Sequence, residues 1–385
     1  MDPDAHSITK RETVYFMKTK AAVMWGETGE FEITELELDP PKDNEVLVRF
    51  DYAGLCHTDE HMRNGDLAFT PPMVGGHEGT GIIGEVGPGV KNLKAGDHFV
   101  TSWMPSCGTC QYCISGHTNL CDNGQFLLAG TMLDGTQRLH ARGQSMGAVD
   151  LLGTFSQWNV IPDACIVKLE DHIPLDVVAI TACGVPTGFG SAIYAANTRP
   201  GQVIVVYGIG GIGINAVQGA ALAGAVMVVA VDPVEFKRTT ALSMGATHAF
   251  ASAEEAHEFV WNETRGNGAH AAIITVGLAD QKVVTDAFAI VRKGGTVVLT
   301  SVSNPNLMLQ IPGLELTLYE KKLVGSLFGS GNPHLDIRKI IDLYMAGQIK
   351  LDELITSRYS LEQVNEGYDD MLAGKNIRGL LEIAH

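Results

Sequence analysis

The sequence predicts an α/β protein with two domains, one a barrel-like β domain and the other built on a doubly wound parallel sheet. Its 385 residues exceed the common size of a single domain, roughly 100–200 residues. From Lys20 to about Val167, short stretches of alternating polarity are separated by glycine-rich turns, which is typical of antiparallel sheets. After Gly201 the apolar runs become nearly continuous and alternate with helical stretches, as in parallel strands that are buried on both faces.

Composition and charge narrow the class of protein. Hydrophobic residues make up 45% of the chain and charged residues 18%, which excludes a mainly disordered protein. The 27 lysines and arginines against 44 aspartates and glutamates give a net charge of −17, which disfavours nucleic acids and anionic membranes as partners. Residues 1–16 lack the apolar segment of a secretory signal, so we predict an N-terminal extension outside the fold of a soluble, cytoplasmic protein.

The elements of the β domain are predicted from period-two alternation. Strands are predicted at residues 45–54, 79–87 and 96–103. Helices are predicted only around residues 58–64 and 175–182 within this domain. Residues 332–385 return to a mixed pattern with apolar residues at helical spacing. We therefore predict that the parallel-sheet domain is inserted within the β domain.

One uncharged stretch, from Gly201 to Val231, is long enough to cross a bilayer. Its glycines and amide side chains divide it into a strand, a glycine turn and a helix. We interpret it as a buried strand–helix–strand unit and predict no membrane span.

Four of the seven cysteines form a compact metal-ligand pattern, C-x2-C-x2-C-x7-C, at Cys107, Cys110, Cys113 and Cys121. In a chain without a signal segment, this spacing favours a metal over disulfides. Four thiolates complete the tetrahedral shell of a structural zinc and leave no open position. An iron–sulfur cluster stays open as a weaker alternative, because four-cysteine runs also ligate such clusters.

A glycine-rich turn predicts a dinucleotide site. The predicted strand at residues 203–207 is followed by GIGGIG, whose glycines are Gly208, Gly210, Gly211 and Gly213, and then by a helix. Such glycines allow a tight turn and let the backbone approach a pyrophosphate at the helix N-terminus. Asp232 lies at the distance typical of a carboxylate that binds both ribose hydroxyls, which favours NAD. Lys237 and Arg238 are able to accommodate the 2′-phosphate of NADP, but Asp232 is the stronger determinant.

Three further motifs supply ligands for a second metal. They are GLCHTDEH (54–61), GGHEG (75–79) and ACGVPTG (182–188). Two cysteines and one histidine leave the fourth position of a zinc ion free, which is the arrangement of a catalytic zinc.

Together, GLCHTDEH, GGHEGTGIIGEVG, the Cys107–Cys121 loop and GIGGIGINAVQG resemble the zinc-dependent medium-chain alcohol dehydrogenases, in order from about Met17 to Ala384. The resemblance implies a GroES-like catalytic domain (residues 17–184 and 328–385) and a Rossmann NAD-binding domain (residues 185–327). It implies two zinc ions per chain. The ligands would be Cys56, His77 and Cys183 for the catalytic zinc, and the four loop cysteines for the structural one.

The same resemblance implies roles for residues around the metal and the cofactor. Asp59 would orient His77, Glu78 would lie behind the metal, and Thr58 and His61 would form a proton relay. The implied cofactor contacts are His57, Thr187, Gly208, Gly210, Gly211, Gly213, Asp232, Lys237 and Arg378. Of these, Arg378 would pair with the pyrophosphate, whereas His57 stands where many members carry arginine. The implied substrate pocket comprises Leu67, Trp103, Val302 and Leu327.

The implied reaction is a reversible hydride transfer from a zinc-bound alkoxide to NAD, giving an aldehyde or ketone. We expect a small-molecule alcohol or aldehyde as substrate and a homo-oligomer, a dimer or tetramer. Two alternatives stay open within the family. The segments CGVPTGFGS, VDPVEFKR, GATHAF and GKNIRG resemble the nitrosoaniline-dependent nicotinoproteins, which retain NAD and use an external electron acceptor. The other alternative is a formaldehyde–thiol-adduct dehydrogenase.

Two readings outside this activity are disfavoured. Zinc-free quinone or enone reductases of the same superfamily lack the set formed by Cys56, His77 and Cys183. A zinc-stabilised nucleic-acid module would need a basic cluster around Cys107–Cys121, and the sequence has none there.

Overall fold

A computed structural model describes residues 16–385. Apart from Phe16, the predicted extension at residues 1–16 lies outside the described residues. The strands, in chain order, are β1 (Met17–Met24), β2 (Glu32–Leu38), β3 (Glu45–Gly54), β4 (Met73–Val74), β5 (Glu78–Val86), β6 (His98–Thr101), β7 (Leu139–Ala141), β8 (Gln144–Ala148), β9 (Trp158–Pro162), β10 (Ile166–Leu169), β11 (Val203–Tyr207), β12 (Met227–Val231), β13 (His248–Phe250), β14 (Ala269–Ile274), β15 (Val291–Leu299), β16 (Lys322–Gly325), β17 (Ile355–Ser360) and β18 (Arg378–Glu382).

The α-helices are α1 (His57–Asn64), α2 (Gln111–Ile114), α3 (Leu175–Val178), α4 (Gly184–Gly190), α5 (Gly213–Leu222), α6 (Glu235–Ser243), α7 (Ala253–Glu263), α8 (Gln281–Ile290), α9 (Gly313–Leu318), α10 (Pro333–Met345) and α11 (Val364–Leu372). A π-helical turn at Ser191–Ala195 continues α4, and a 3-10 turn at Ala179–Ala182 continues α3.

The β domain contains a closed barrel and a seven-stranded sheet. The barrel has the order β1-β2-β7-β8-β4, and the second sheet the order β10-β6-β5-β3-β18-β17, with β9 paired to β3. The three predicted strands correspond to β3, β5 and β6. Most strand pairs of this domain are antiparallel, as predicted, but β4 pairs with β8 and β17 with β18 in parallel. A long connection separates the strands of each of these pairs, as parallel pairing requires.

The other six strands form a parallel sheet of order β13-β12-β11-β14-β15-β16. Counted from β11 this is 3-2-1-4-5-6, the doubly wound order of dinucleotide-binding domains. The order reverses between β11 and β14, so a nucleotide is expected outside the carboxyl ends of these two strands. The uncharged stretch from Gly201 to Val231 folds as β11, α5 and β12, as predicted.

The chain enters the parallel-sheet domain through α4, which is buried along its whole length. This helix packs so closely on the start of α5 that a Cβ added at Gly188 would lie 1.9 Å from the carbonyl oxygen of Ile212. The contact brings Cys183, directly before α4, close to the glycine turn before α5. The domain boundaries at residues 184–185 and 327–328 stay a prediction.

Among residues 16–385, no single helix has the length and apolar composition to cross a membrane. One bent pair of helices, Leu175–Ala182 and Gly184–Ala195, has this length and composition only when the two helices are counted together.

Candidate active site

Four buried side chains converge where α1, β5 and α4 begin. The ligand atoms of Cys56, His77, Glu78 and Cys183 all lie within 4.8 Å of one another. Cys56 immediately precedes α1, His77 immediately precedes β5, and Cys183 immediately precedes α4. Ends of three elements that are far apart in sequence thus assemble the three predicted ligands.

Asp59, on the first turn of α1, lies behind His77. Its Oδ2 is 3.1 Å from His77 Nδ1, and its Oδ1 accepts a hydrogen bond from the Gly76 amide at 2.8 Å. Burial disfavours a charged imidazole, but the charges of Asp59 and Cys56 raise the pKa of His77 well above its usual value. With Nδ1 facing a carboxylate, the other ring nitrogen is free to bind a metal, which is the usual arrangement of a ligating histidine.

The contact between the two buried thiols of the cluster favours ionisation of Cys56 and disfavours ionisation of Cys183. A hydrogen bond from Cys183 lowers the pKa of Cys56 well below its usual value, and the same contact raises the pKa of Cys183. A thiolate, a second thiol and an imidazole at this spacing form a donor set that suits zinc. The residues of this site therefore fit the metal that the sequence predicted.

Glu78 has both of its carboxylate oxygens engaged. Oε2 forms a buried ion pair with the Arg378 guanidinium, and Oε1 accepts a hydrogen bond from the Gly184 amide at 3.1 Å. Burial raises the pKa of Glu78 to about 7, against the opposing effect of Arg378. Glu78 thus adjoins the three ligands as a neighbour whose oxygens already have partners.

The four cysteines of the predicted structural site also converge. The Sγ atoms of Cys107, Cys110, Cys113 and Cys121 lie within 4.8 Å of one another. The backbone amides of Thr109 and Cys110 donate to Cys107 Sγ at 3.5 and 3.3 Å. Burial alone would raise the pKa of Cys107, but these hydrogen bonds and one from the Thr109 hydroxyl lower it to about 6. Donors aimed at sulfur favour thiolates, so this loop fits a closed zinc site.

A cleft of about 560 Å³ opens at the carboxyl ends of β11, β12 and β14, within the usual size range for a cofactor site. The predicted site residues that line it are Cys56, His57, Thr58, His61, Gly208, Gly210, Gly211, Asp232, Lys237 and Val302. Cys56 therefore belongs both to the metal-ligand cluster and to the wall of the cleft.

The glycine turn is held in place by a threonine that the sequence analysis missed. Gly208 has a φ of +87°, which favours glycine. The hydroxyl of Thr275, directly after β14, donates to the Gly208 carbonyl at 2.6 Å. A Cβ added at Gly213 would lie 1.9 Å from the same carbonyl oxygen, so only glycine lets α5 pack this closely on the turn.

Asp232 lies at the end of β12 and is buried. Its Oδ2 accepts a hydrogen bond from the Ile209 amide at 2.8 Å, and its Oδ1 accepts one from the Val234 amide at 2.9 Å. Arg238 donates to the backbone carbonyls of Asp232 and Pro233 at 2.9 and 2.7 Å. Its guanidinium is thus already engaged, whereas Lys237 lines the cleft.

The residues of the predicted relay lie in the cleft but do not touch. Thr58 Oγ1 is 3.6 Å from Cys56 Sγ. His61 places Nδ1 3.1 Å from Asp66 Oδ2 and Nε2 3.0 Å from the Gly277 carbonyl oxygen. Within residues 16–385, no hydrogen bond joins Thr58 to His61. Burial lowers the pKa of His57 to about 4, so this ring is neutral near pH 7.

Two predicted cofactor contacts lie behind the cleft wall. The Thr187 hydroxyl donates to the Cys183 carbonyl at 2.7 Å. Arg378 is buried under the glycine turn, since a Cβ added at Gly211 would lie 2.5 Å from its Cδ. The same side chain pairs with Glu78, so it spans the turn and the metal-ligand cluster.

The four predicted pocket residues are not gathered on one wall. Val302 lines the nucleotide cleft, whereas Leu67, Trp103 and Leu327 do not. Trp103 stacks on Phe328 with ring centroids 4.6 Å apart, and Leu327 beside it is 45% exposed.

Comparisons with known proteins identify the family of the chain. The alcohol dehydrogenase GroES-like domain matches residues 42–171, and the zinc-binding dehydrogenase domain matches residues 211–346. The chain is 55% identical to an NDMA-dependent alcohol dehydrogenase of Amycolatopsis methanolica, over 95% of this chain and 99% of the relative. It is 52% identical to the putative alcohol dehydrogenase D of Mycobacterium tuberculosis, over 95% of this chain and 100% of the relative.

Two solved structures share the fold. An alcohol dehydrogenase zinc-binding domain protein of Burkholderia ambifaria has a TM-score of 0.91 at 30% identity, covering 96% of this chain and 100% of the other. The benzyl alcohol dehydrogenase of Acinetobacter calcoaceticus has a TM-score of 0.89 at 27% identity with the same coverage. The chain therefore belongs to the zinc-dependent medium-chain alcohol dehydrogenases, and within them it resembles the nitrosoaniline-dependent subgroup.

Proposed function

We propose that this enzyme converts small-molecule alcohols to aldehydes or ketones, reversibly, at a zinc ion held by Cys56, His77 and Cys183 and beside a bound NAD. The observation that carries the proposal is the position of Cys56, which belongs to the buried ligand cluster and also lines the nucleotide cleft. When bound, zinc supplies a Lewis acid that lowers the pKa of an alcohol, and NAD accepts the hydride.

The side chains around this point bind, orient and carry the proton. The Thr58 hydroxyl lies beside Cys56, where it is able to accept the proton of an alcohol and pass on its own. The His61 ring lies between this region and Asp66, whose side chain is 33% exposed. To receive a proton, one ring nitrogen of His61 must first leave its present oxygen partner.

Metal content tests the ligand assignment. We propose two zinc ions per chain, so Cys183→Ala should reduce the content from two to one and abolish turnover while the fold persists. Cys110→Ala should instead lose the loop zinc and unfold more easily, because a closed metal site contributes folding free energy. Cys165→Ala, at a buried cysteine outside both clusters, is the matched control and should keep both ions. Two zinc ions and full activity in Cys183→Ala would refute the assignment.

A second candidate is a nicotinoprotein that retains NAD through the catalytic cycle. The 55% identical relative is named for its dependence on NDMA. Retention would require slow dissociation of the nucleotide, which closure of the two domains over it would supply. The purified protein should then release close to one NAD(H) per chain when it is denatured, without any having been added. If the purified protein contains no nucleotide and turns over with added NAD, the enzyme is instead a dehydrogenase from which NAD dissociates in each cycle.

We propose alcohols with apolar tails as the substrate class. None of the predicted pocket residues Leu67, Trp103, Val302 and Leu327 carries a charge that could hold the carboxylate of a formaldehyde–thiol adduct. Trp103→Ala should raise kcat/KM for bulkier alcohols, by roughly 10-fold or more per methylene accommodated. A wild-type preference for a carboxylated substrate over its apolar analogue would contradict this proposal.

We also propose a cytoplasmic homo-oligomer, a dimer or tetramer. Strand β16 ends the six-stranded sheet, and within residues 16–385 no strand pairs with its outer edge. Leu314 and Leu318 in the preceding helix are 71% and 65% exposed. Light scattering should give a mass that is a multiple of the 41.2 kDa chain mass. The mass of a single chain would refute the oligomer, and recovery in the membrane fraction would refute the location.

A further inference from the structure

A buried carboxylate outside the set discussed so far lies beside the metal-ligand cluster. Asp150 is 6% exposed, and its Oδ2 lies 3.8 Å from Nδ1 of His77. In the part of the chain that the structure describes, His77 is the only basic side chain within salt-bridge distance of Asp150. Among the same residues, the Asp150 carboxylate has no hydrogen-bond partner. Buried carboxylates are seldom left with so little compensation.

Strand pairing explains how Asp150 reaches the site. Strands β4 and β8 run in parallel, with Val74 opposite Ala148. Asp150 follows Ala148 by two residues, as Gly76 follows Val74, so Asp150 arrives beside the segment that ends in His77. The amides of Thr154 and Phe155 then bond the carbonyls of Gly76 and Gly75 at 3.0 and 2.9 Å, which fixes the turn against this segment.

The backbone at Asp150 is in an uncommon conformation for a residue with a side chain. Its φ is 51° and its ψ 34°, and Leu151 follows with a φ of 68°. Residues with a left-handed backbone conformation occur where the surrounding structure stabilises that conformation, and they cluster at functional sites. Glycine adopts this conformation freely, so the shape of the turn does not by itself require a carboxylate.

We propose that Asp150 is a positioning residue of the zinc site, a second carboxylate that flanks the Nδ1 edge of His77 together with Asp59. The inference rests on the proposed zinc ligands. Asp59 comes from α1 and is fixed by the Gly76 amide, whereas Asp150 comes from the turn after β8, so the imidazole is held from two elements. Carboxylates behind a ligating histidine fix its ring and make it a stronger donor, which slows the loss of the metal.

Zinc release from the intact enzyme tests this role. Asp150→Asn removes the charge and keeps the size of the side chain. With an excess of a chromogenic chelator, it should release the zinc of the Cys56 site roughly 10–100-fold faster than the wild type, while the release of the loop zinc is unchanged. In the cobalt-substituted protein, its thiolate-to-metal absorption bands should shift. Asp163→Asn, at a partly buried carboxylate outside both metal-ligand clusters, is the control and should match the wild type.

Each outcome decides between the inference and the function on which it rests. Wild-type release rates and an unchanged cobalt spectrum in Asp150→Asn would overturn the role of Asp150 and leave the proposed function standing. A wild-type enzyme with only the loop zinc would overturn the proposed function instead. If Asp150→Asn does not fold, Asp150→Gly relieves the left-handed backbone and is measured in the same assays, with the same two results deciding.

Discussion

Asp232 combines a charge that faces the cofactor cleft with hydrogen bonds that hold the glycine turn. Asp232→Asn keeps an acceptor oxygen but removes the charge. We expect its affinity for NAD to fall about 10-fold or more, since hydrogen bonds to charged groups contribute roughly 1.5–3 kcal/mol. The relative affinity for NADP should rise, because the 2′-phosphate is no longer repelled.

Calorimetry on nucleotide-free protein measures both affinities. Asp280→Asn is the matched control, since Asp280 also lines the cleft but caps α8 instead, and it should leave the ratio of the two affinities unchanged. An unaltered preference in Asp232→Asn would show that other groups select the cofactor.

The buried ion pair of Glu78 and Arg378 contributes to the stability of the fold as well as to the geometry of the site. Glu78→Gln leaves the buried guanidinium without its counter-charge, and breaking a buried pair in this way costs about 3–5 kcal/mol. Urea unfolding should therefore show a midpoint well below that of the wild type. The double variant Glu78→Gln/Arg378→Met should recover part of the loss, and a single variant as stable as the wild type would contradict the expectation.

Among individual residues, the sequence identifies those that belong to short motifs. The ligands and the glycine turn sit in short motifs with characteristic spacing, and the structure brings Cys56, His77 and Cys183 together as the motifs suggested. Asp150 and Thr275 have no such signal, because each acts on a residue that only strand pairing brings near. Single aspartates and threonines are common in turns, so nothing in the sequence separates these two from the rest.

Two glycines of the strand–turn–helix element β11–α5 differ in the space available for a side chain. A Cβ at Gly213 would clash with the Gly208 carbonyl, whereas nothing lies within 4 Å of a Cβ at Gly210. Gly213→Ala should therefore destabilise the fold, seen as a lower melting temperature. Gly210→Ala should melt like the wild type yet bind NAD at least 10-fold more weakly, because the added methyl group occupies the approach of the pyrophosphate. Equal melting temperatures for the two variants would refute this division.

Helix α10 is anchored to the β domain by a histidine whose protonation disfavours the fold. His334 Nε2 donates to the Ala164 carbonyl at 2.9 Å, and burial lowers the pKa of His334 below its usual value. The unfolded chain, with a histidine pKa near ~6.5, takes up a proton that the folded state resists. This contribution to the free energy of unfolding is therefore present above about pH 6.5 and is lost as the pH falls below it.

Urea unfolding between pH 5 and 8 measures this effect as a slope. His334→Gln should show a smaller loss of stability toward pH 5 than the wild type. His172→Gln, at an exposed histidine, should keep the wild-type slope. Identical slopes in all three proteins would show that His334 does not contribute.

Elements with a clear period were predicted closely, as β3 and β11 show. Helix α4 was not predicted, because GVPTGFG contains three glycines and a proline, which disfavour helices in isolation. Tertiary packing overrides this preference, since Gly188 allows α4 to approach the start of α5 closely and Gly190 lets it approach the backbone of Gly329. Parallel pairs such as β4 with β8 were missed for a related reason, because their register is set by contacts distant in sequence.

For the whole molecule, the return to mixed helix after residue 332 predicts that one domain is inserted in the other. What the sequence did not indicate is that its last strand lies in the interior of a sheet. Strand β18 pairs with both β3 and β17, and Arg378 at its start contacts Glu78. Short apolar runs near a chain end carry no information on which strands they join.

The position of β18 has a consequence for how the protein is made. Chains fold from the N-terminus as they leave the ribosome, yet β18 follows all the other described strands in the chain. Until it emerges, residues 52–54 of β3 lack a partner strand on the side where β9 pairs with residues 45–49. The guanidinium that links the ligand cluster to the glycine turn is missing as well. The first domain to be translated is thus completed last. A chain cut before Arg378 would lack this strand and be inert toward alcohols rather than partly active, so activity begins only after β18 has been translated.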